Sequence, residues 1–283
     1  MLLAVKLKAA VVLGALAAPV VAMTGDPLAT KPIDGIVDIA PASFSYRVAG
    51  DFSRGGKPVE GLLRADQQGG NLKIMKRQVT ASEYARCIDD GGCPRVALPQ
   101  GSHDVPMVGV SWHDAVAYAG WLTRKTGVGY RLPTDEEWVF AAAEKARDEA
   151  LPVIDPANPA SGWIARYDAE AARSRPATTA PQPTGTFGSN SRGLLDVGGN
   201  VWEWTESCFI RATLDADVMR ATNINCGVRV VEGEHRTYMT DFVRDPRTGG
   251  CAAGVPPANL GFRLVVDDRR NELIAKLRTI LTL

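Results

Sequence analysis

Apolar residues recur every three or four positions in three segments of the chain, which is the spacing of one face of a helix. Each segment follows a hydroxyl residue that has an acidic residue three positions later, the pattern of a helix-capping box. The three pairs are Thr80 and Glu83, Ser111 and Asp114, and Thr134 and Glu137. They predict three helices, and Gly91 and Gly127 lie where the first two should end.

The rest of the pattern is typical of short strands and turns. Residues 36–48, 72–79 and 261–266 predict strands. Six prolines between residues 151 and 191 predict a long ordered loop. Residues 268–283 predict an amphipathic helix, which either packs back on the domain or docks to a partner or membrane.

The N-terminus has the three-part pattern of an export signal. Basic Lys6 and Lys8 precede an apolar stretch, and Ala22 ends a small-residue cleavage site. A buried N-terminal helix is the alternative interpretation. We therefore predict a signal peptide over 1–22, one domain over 23–267 and a C-terminal helix over 268–283, with the mature chain in the periplasm.

Charge and composition narrow the function classes. The 283 residues include 32 basic and 32 acidic side chains, and a neutral chain disfavours nucleic acid as a partner. No apolar run reaches the roughly 18 residues that span a bilayer, so we expect no transmembrane segment in the mature chain. The 28 glycines and 18 prolines indicate a loop-rich fold.

Five cysteines fit an oxidising compartment, where disulfides persist. Cys87 and Cys93 flank an Asp-Gly-Gly turn, which predicts a local disulfide. A zinc site would need a second closely spaced pair, and the sequence has none. The odd count leaves one unpaired cysteine among Cys208, Cys226 and Cys251, and the spacing does not say which.

Five motifs in fixed order resemble the formylglycine-generating enzyme family, also called sulfatase-modifying factors. They are Val79-Thr80 with Glu83-Tyr84, PMVGVSW at 106–112, YRLPT at 130–134, GLLDVGGNVWEW at 193–204 and NLGFR at 259–263. The resemblance covers about residues 36–266. It implies a single α/β (α+β) domain related to the C-type lectin fold, with little regular secondary structure and bound calcium.

The resemblance implies calcium ligands at Asp196, Gly199, Val201 and Glu203. The two carboxylates and the two backbone carbonyls supply the hard oxygen donors that calcium prefers. The alternative interpretation is a hydrogen-bonded turn that Glu203 closes.

The chain departs from the family where active members carry a pair of cysteines that bind copper(I). The first should directly follow Tyr238-Met239, but Thr240 stands there, and Asp245 takes the second position. Copper(I) selects thiolate ligands, so we expect the copper-thiolate oxidase chemistry to be absent. The resemblance also implies that Cys251 forms a structural disulfide with Cys226 or Cys208, and we predict the Cys226–Cys251 pair.

Other family positions suggest a binding groove. The resemblance implies that Trp202, Thr237 and Asn259 face the client or substrate. His235, Asp241 and Asp245 form an alternative nitrogen and oxygen ligand set for iron or copper, although exposed polar residues are the simpler interpretation.

These features predict an exported accessory or maturation protein that binds a periplasmic client. Members without the cysteines occur beside copper nitrite reductase in denitrification, and this chain resembles them. The alternative is a metal-dependent oxidoreductase with altered ligands that acts on a peptide or small molecule. A lectin-like binding module is the third interpretation.

Overall fold

The computed structural model describes residues 35–99, 104–148, 180–248 and 259–268, and isolated positions between 150 and 168. The helices are Ala81–Asp89 (α1), Trp112–Thr126 (α2) and Asp135–Ala142 (α3). The first seven strands are Ile36–Ile39 (β1), Ser43–Arg47 (β2), Asp51–Arg54 (β3), Lys57–Val59 (β4), Leu63–Gln67 (β5), Leu72–Met75 (β6) and Tyr130–Arg131 (β7). The remaining strands are Trp202–Asp215 (β8), Val218–Glu232 (β9), Thr237–Thr240 (β10), Leu260–Gly261 (β11) and Val265–Val266 (β12).

Three sheets organise these strands. One has the order β1-β6-β12-β7, and β2 pairs with β5 in a separate ribbon. The largest sheet has the order β10-β9-β8-β3-β4, and β11 joins β8 in parallel. The main core lies where α1 and α2 pack against this sheet around Trp204, Met239 and Phe262. The result is the mixed α/β fold that the sequence predicts.

All three capping boxes are present. In α2, for example, Ser111 Oγ accepts from the Asp114 N–H at 3.2 Å, and the Asp114 carboxylate accepts from the Ser111 N–H at 2.9 Å. The equivalent bonds begin α1 and α3. Gly127 ends α2 with a left-handed φ of 71°, a conformation that glycine adopts without steric cost.

The predicted strands are shorter than their patterns suggested. The segment 36–48 is divided into β1 and β2 around Pro41, which has no N–H to donate to a ladder. The segment 72–79 is a strand only as far as Met75. The segment 261–266 is divided into β11 and β12, with the fully buried Arg263 between them.

The long hairpin formed by β8 and β9 was not predicted. In β9, residues 218–227 are all exposed, and burial begins only towards Val230. The strand therefore lacks the alternation of apolar and polar residues that identifies a half-buried strand. Because β10 pairs only with Val228 to Val231 of β9, residues 218–227 form an exposed edge of the sheet.

The structure contains two disulfides in its described part. Cys87–Cys93 closes the turn after α1, as predicted. The predicted Cys226–Cys251 pair is wrong, because Cys226 is bonded to Cys208 across the β8–β9 hairpin, with their Cα atoms 4.4 Å apart. That proximity follows from the register of the unpredicted hairpin. Cys251 lies outside the described residues.

Three further predictions fall on segments that are not described: the signal peptide over 1–22, most of the proline-rich segment and the helix over 268–283. Within the described residues, no helix has the length and apolar character needed to cross a membrane.

Candidate functional site

The turn after β10 begins at Thr240, where the family resemblance implies a copper-binding cysteine in active members. Thr240 ends the strand, and Val243 N–H donates back to the Thr240 carbonyl at 3.1 Å. Asp241 N–H donates to the Gly227 carbonyl at 3.0 Å, and the Asp241 carbonyl accepts from the Trp112 N–H at 2.9 Å. The turn is thus held between the edge of β9 and the start of α2.

The buried carboxylate of Asp114 holds the same turn through Arg244. Arg244 donates to Asp114 through Nε at 2.6 Å and through Nη2 at 2.9 Å. Asp114 is 2% exposed, and it also accepts from the Ser111 backbone. Burial opposes ionisation of Asp114, but the hydrogen bonds from Arg244 and Ser111 outweigh it and lower the pKa. The Asp114 carboxylate therefore both caps α2 and holds the turn after β10 in place.

Charged and aromatic groups surround the turn. His113 Nε2 lies 3.2 Å from Asp241 Oδ2, and the Arg229 guanidinium stacks 3.8 Å from the centre of the Trp112 ring. Phe242 is 72% exposed at the apex. The surface at this turn therefore combines an apolar contact with charged neighbours, and sequence reasoning missed the part played by Arg229.

The alternative redox-metal ligand set is not assembled. Asp241 pairs with His113, whereas His235 lies against the Trp202 ring with a centroid distance of 5.2 Å. Across the described part of the chain, which includes His235, Asp241 and Asp245, no three histidine, cysteine or acidic side chains meet in a group that could hold a metal.

Two of the predicted groove residues, Trp202 and Asn259, are neighbours, and all three are less exposed than expected. Trp202 donates from its indole Nε1 to the His235 carbonyl at 3.0 Å, and its backbone N–H donates to the Asn259 carbonyl at 3.0 Å. Trp202 is partly buried, whereas Asn259 is 6% exposed and Thr237 only 1%. Trp202 is therefore the member of the three best placed to contact a ligand.

Glu203 does not fit the calcium set predicted for it. Its Oε1 accepts from Arg263 Nη2 and Gln78 Nε2, each at 2.7 Å, and its Oε2 accepts from Arg263 Nε at 2.6 Å and Trp138 Nε1 at 3.0 Å. These four hydrogen bonds use the roughly four lone-pair sites of a carboxylate. Calcium binding stays a prediction for the remaining donors.

Asp196 closes a turn instead. Its carboxylate accepts from the Gly185 N–H at 2.6 Å and from the Phe187 N–H at 2.8 Å. Its φ is +56°, and Gly198 follows with φ +68°. Each carboxylate oxygen keeps a free lone pair in this arrangement, so Asp196 fits a cation ligand better than Glu203 does.

A buried acid cluster lies on the other side of the sheet. Arg236 lies 2.5 Å from Glu232 Oε1 and 3.3 Å from Asp135 Oδ2, and Tyr46 donates to Asp135 Oδ2 at 2.6 Å. Burial raises the pKa of Glu232 well above its usual value; Arg236 opposes this rise and Asp135 adds to it. Tyr238 has its pKa raised to about 12 by burial.

Arg236 and Tyr238 also line a cavity of about 430 Å³ between β2, β10 and the end of α3. Phe44, Phe140 and Arg192 form other parts of its wall. Neither the predicted groove residues nor the residues of the turn after β10 line this cavity.

The family model for the sulfatase-modifying factor enzyme 1-like domain matches residues 27–268. The inactive C-alpha-formylglycine-generating enzyme 2 of Bos taurus is 32% identical over 171 residues, which cover 56% of this chain and 54% of that protein. The formylglycine-generating enzyme of Streptomyces coelicolor is 34% identical over 174 residues, covering 57% of this chain and 52% of the enzyme. The chain thus spans about half the length of the curated relatives that it matches.

Among solved structures, PvdO from Pseudomonas aeruginosa has a similar fold. It superposes with a TM-score of 0.51 at 21% identity, covering 82% of this chain and 94% of that chain. At this identity the likeness concerns the fold alone. The mixed α/β architecture with little helix agrees with the C-type lectin-like fold expected from the resemblance.

Proposed function

Because the chain belongs to the sulfatase-modifying factor enzyme 1-like family, we propose that it is an exported accessory or maturation protein that binds a client without oxidising it by copper chemistry. The observation that carries this proposal is the turn after β10, where Thr240 and Asp245 replace the thiol pair. Hydroxyl and carboxylate oxygens are poor copper(I) ligands. The relative in Bos taurus whose name describes it as inactive is consistent with a binding role.

Export is part of the proposal. The two disulfides support it, because such bonds persist in oxidising compartments such as the periplasm. We propose a periplasmic protein as the client, and copper nitrite reductase of denitrification is the first to test, because the sequence resembles the cysteine-lacking subgroup expected beside it.

Phe242 is the contact that we assign to the client. An aromatic side chain that is 72% exposed at a tightly hydrogen-bonded turn offers a large apolar surface at little loss of backbone entropy. The Arg229 guanidinium over the Trp112 ring provides further cationic and aromatic contacts beside the turn.

We expect Phe242→Ser to weaken binding to apo copper nitrite reductase by about tenfold, the loss of one interface anchor. Biolayer interferometry with the purified mature protein measures this. Val218→Ser is the matched control, since Val218 is 58% exposed at the far end of the hairpin. Equal weakening by both variants would exclude the turn as the binding surface, and no binding by the wild type would exclude this client.

The absence of copper-thiolate chemistry has its own test. We expect no oxygen uptake when the protein receives copper(I) and a cysteine-bearing peptide, with the Streptomyces coelicolor relative as positive control. The double variant Thr240→Cys and Asp245→Cys should bind copper(I) more tightly than the wild type in competition with a chromogenic chelator. Copper-dependent oxygen uptake by the wild type would overturn this part of the proposal.

A further inference from the structure

The two disulfides lie in different environments. Cys87 is fully buried and Cys93 is 8% exposed, and both belong to the main core. In the other bridge, Cys226 is exposed on the outer strand β9, and Cys208 is only partly buried on β8. A thiol from another molecule can therefore reach Cys226 without unfolding the domain.

A cation lies against the inner sulfur of the exposed bridge. Arg229 Nη1 is 3.3 Å from Cys208 Sγ and also donates to the Glu206 carbonyl at 2.7 Å. The guanidinium is held by the Trp112 ring at 3.8 Å, and its buried Nε has no hydrogen-bond acceptor within the described residues. Nor does any described carboxylate come within ion-pair distance of Arg229. Asp241 and Glu206 attract this charge from beyond ion-pair distance, whereas Cys208 Sγ is in direct contact with it.

The two sulfurs of this bridge differ in how readily each can leave. A guanidinium beside a sulfur stabilises the thiolate and lowers the thiol pKa. In thiol–disulfide exchange, the sulfur with the lower pKa is the better leaving group. Cys226 is thus the accessible sulfur, and Cys208 is the sulfur that leaves more readily.

We propose that Cys208–Cys226 is a redox-active disulfide that oxidises a dithiol of a peptide or protein, with Cys226 attacked and Cys208 leaving. The proposal goes beyond client binding and does not require it. Its location next to the candidate site follows from the structure, because the turn after β10 is hydrogen-bonded to Gly227, the neighbour of Cys226.

The exchange balances in two steps. A thiolate of the client attacks Cys226 Sγ, the Cys208–Cys226 bond breaks, and its electron pair goes to Cys208 Sγ beside Arg229. The second client thiolate then attacks the client sulfur of the mixed disulfide and releases Cys226 as a thiolate. The client loses two electrons and forms a disulfide, the protein gains them, and the two client protons pass to solvent or to the new thiolates.

Glutathione can stand in for the client in the test. The folded protein is equilibrated with mixtures of reduced and oxidised glutathione, quenched by alkylation and analysed by peptide mass spectrometry. We expect Cys208–Cys226 to be reduced under conditions that leave Cys87–Cys93 oxidised. Arg229→Gln should make Cys208–Cys226 about tenfold harder to reduce, which corresponds to a reduction potential about 30 mV more negative. Arg229→Lys keeps the positive charge and should therefore have a reduction potential close to that of the wild type.

Two controls make the outcome decisive. Arg220→Gln removes an exposed arginine from the same strand, and it should leave the reduction of Cys208–Cys226 and of Cys87–Cys93 by glutathione unchanged. An unchanged Cys87–Cys93 equilibrium in Arg229→Gln shows that the variant is folded. Joint reduction of both bridges, or no shift in Arg229→Gln, would assign Cys208–Cys226 a structural role only. Rapid acid quenching should find the glutathione adduct on Cys226, and an adduct mainly on Cys208 would overturn the assigned direction.

Discussion

Glu203→Gln should lower the free energy of unfolding by about 3–5 kcal/mol, the usual consequence of leaving a buried charge without its partner. The side chains of Glu203 and Arg263 are both 0% exposed, and Arg263 donates to Glu203 through Nε at 2.6 Å and Nη2 at 2.7 Å. Glutamine keeps one acceptor oxygen but no charge, so Arg263 loses its counter-ion and one of these two short hydrogen bonds. Its other acceptors are the carbonyls of Met75, Lys76 and Leu195 at 3.1–3.3 Å. Chemical denaturation measures the change.

The double variant Glu203→Gln with Arg263→Met tests the explanation. Removing both charges should lower the free energy of unfolding by less than the sum of the two single changes, because no unpaired charge is then left in the core. Lys125→Met is the surface control: Lys125 pairs with Asp90 at 2.9 Å, but their side chains are 62% and 40% exposed. We expect it to change stability by at most about 1 kcal/mol. A similarly small effect of Glu203→Gln would contradict the structural role given to this pair.

Local signals predicted the helices because a capping box contains all its partners within four residues. The pair of Arg131 and Glu137 is similarly local: the residues lie six positions apart, and Glu137 accepts from Arg131 Nη1 and Nη2, each at 2.6 Å. Glu203 could not be assigned from sequence in the same way. Its partners Gln78, Trp138 and Arg263 come from three distant segments, so the family motif suggested a calcium ligand where the fold supplies a guanidinium.

In the candidate site, too, local features could be predicted from the sequence and long-range contacts could not. The departure at Thr240 and Asp245 is visible in the sequence because the Tyr238-Met239 dipeptide marks the position. The environment of the turn depends on long-range pairing instead, as Arg244 reaches Asp114 over 130 positions. The Cys208–Cys226 bond depends on the register of a hairpin whose outer strand has no hydrophobic alternation, so the sequence left its pairing open.

The stability of the wild-type protein should fall as pH rises above the ordinary glutamate pKa of roughly 4.3, owing to Glu232. Burial raises the pKa of Glu232 in the folded protein, so the folded state binds this proton more tightly than the unfolded chain. The stabilising contribution is therefore fully present below the unfolded pKa and is lost as pH rises through the folded one. Carboxylates with lowered pKa, such as Asp114 and Glu83, act in the opposite direction at lower pH.

Geometry explains why the cluster retains the proton. Arg236 supplies one positive charge to two acids, so the group is neutral when Glu232 is protonated and carries a buried negative charge when it is not. Asp135 Oδ1 is buried with no hydrogen-bond donor, and the Glu232 side chain is within hydrogen-bonding reach of the Asp135 carboxyl. A shared carboxyl proton satisfies that acceptor and limits the buried charge.

Glu232→Gln should remove this pH dependence, because glutamine has the shape of the protonated acid and keeps an N–H donor for Asp135. Relative to the wild type, the variant should gain about 1.4 kcal/mol per pH unit within the window between the unfolded and folded pKa values. Urea denaturation at intervals from pH 5 to pH 8 measures the difference. Glu234 is an exposed glutamate two positions along the chain, and the free energy of unfolding of Glu234→Gln should change with pH as it does in the wild type. If that of Glu232→Gln also does so, Glu232 is ionised in the folded protein, and Arg236 alone compensates both acids.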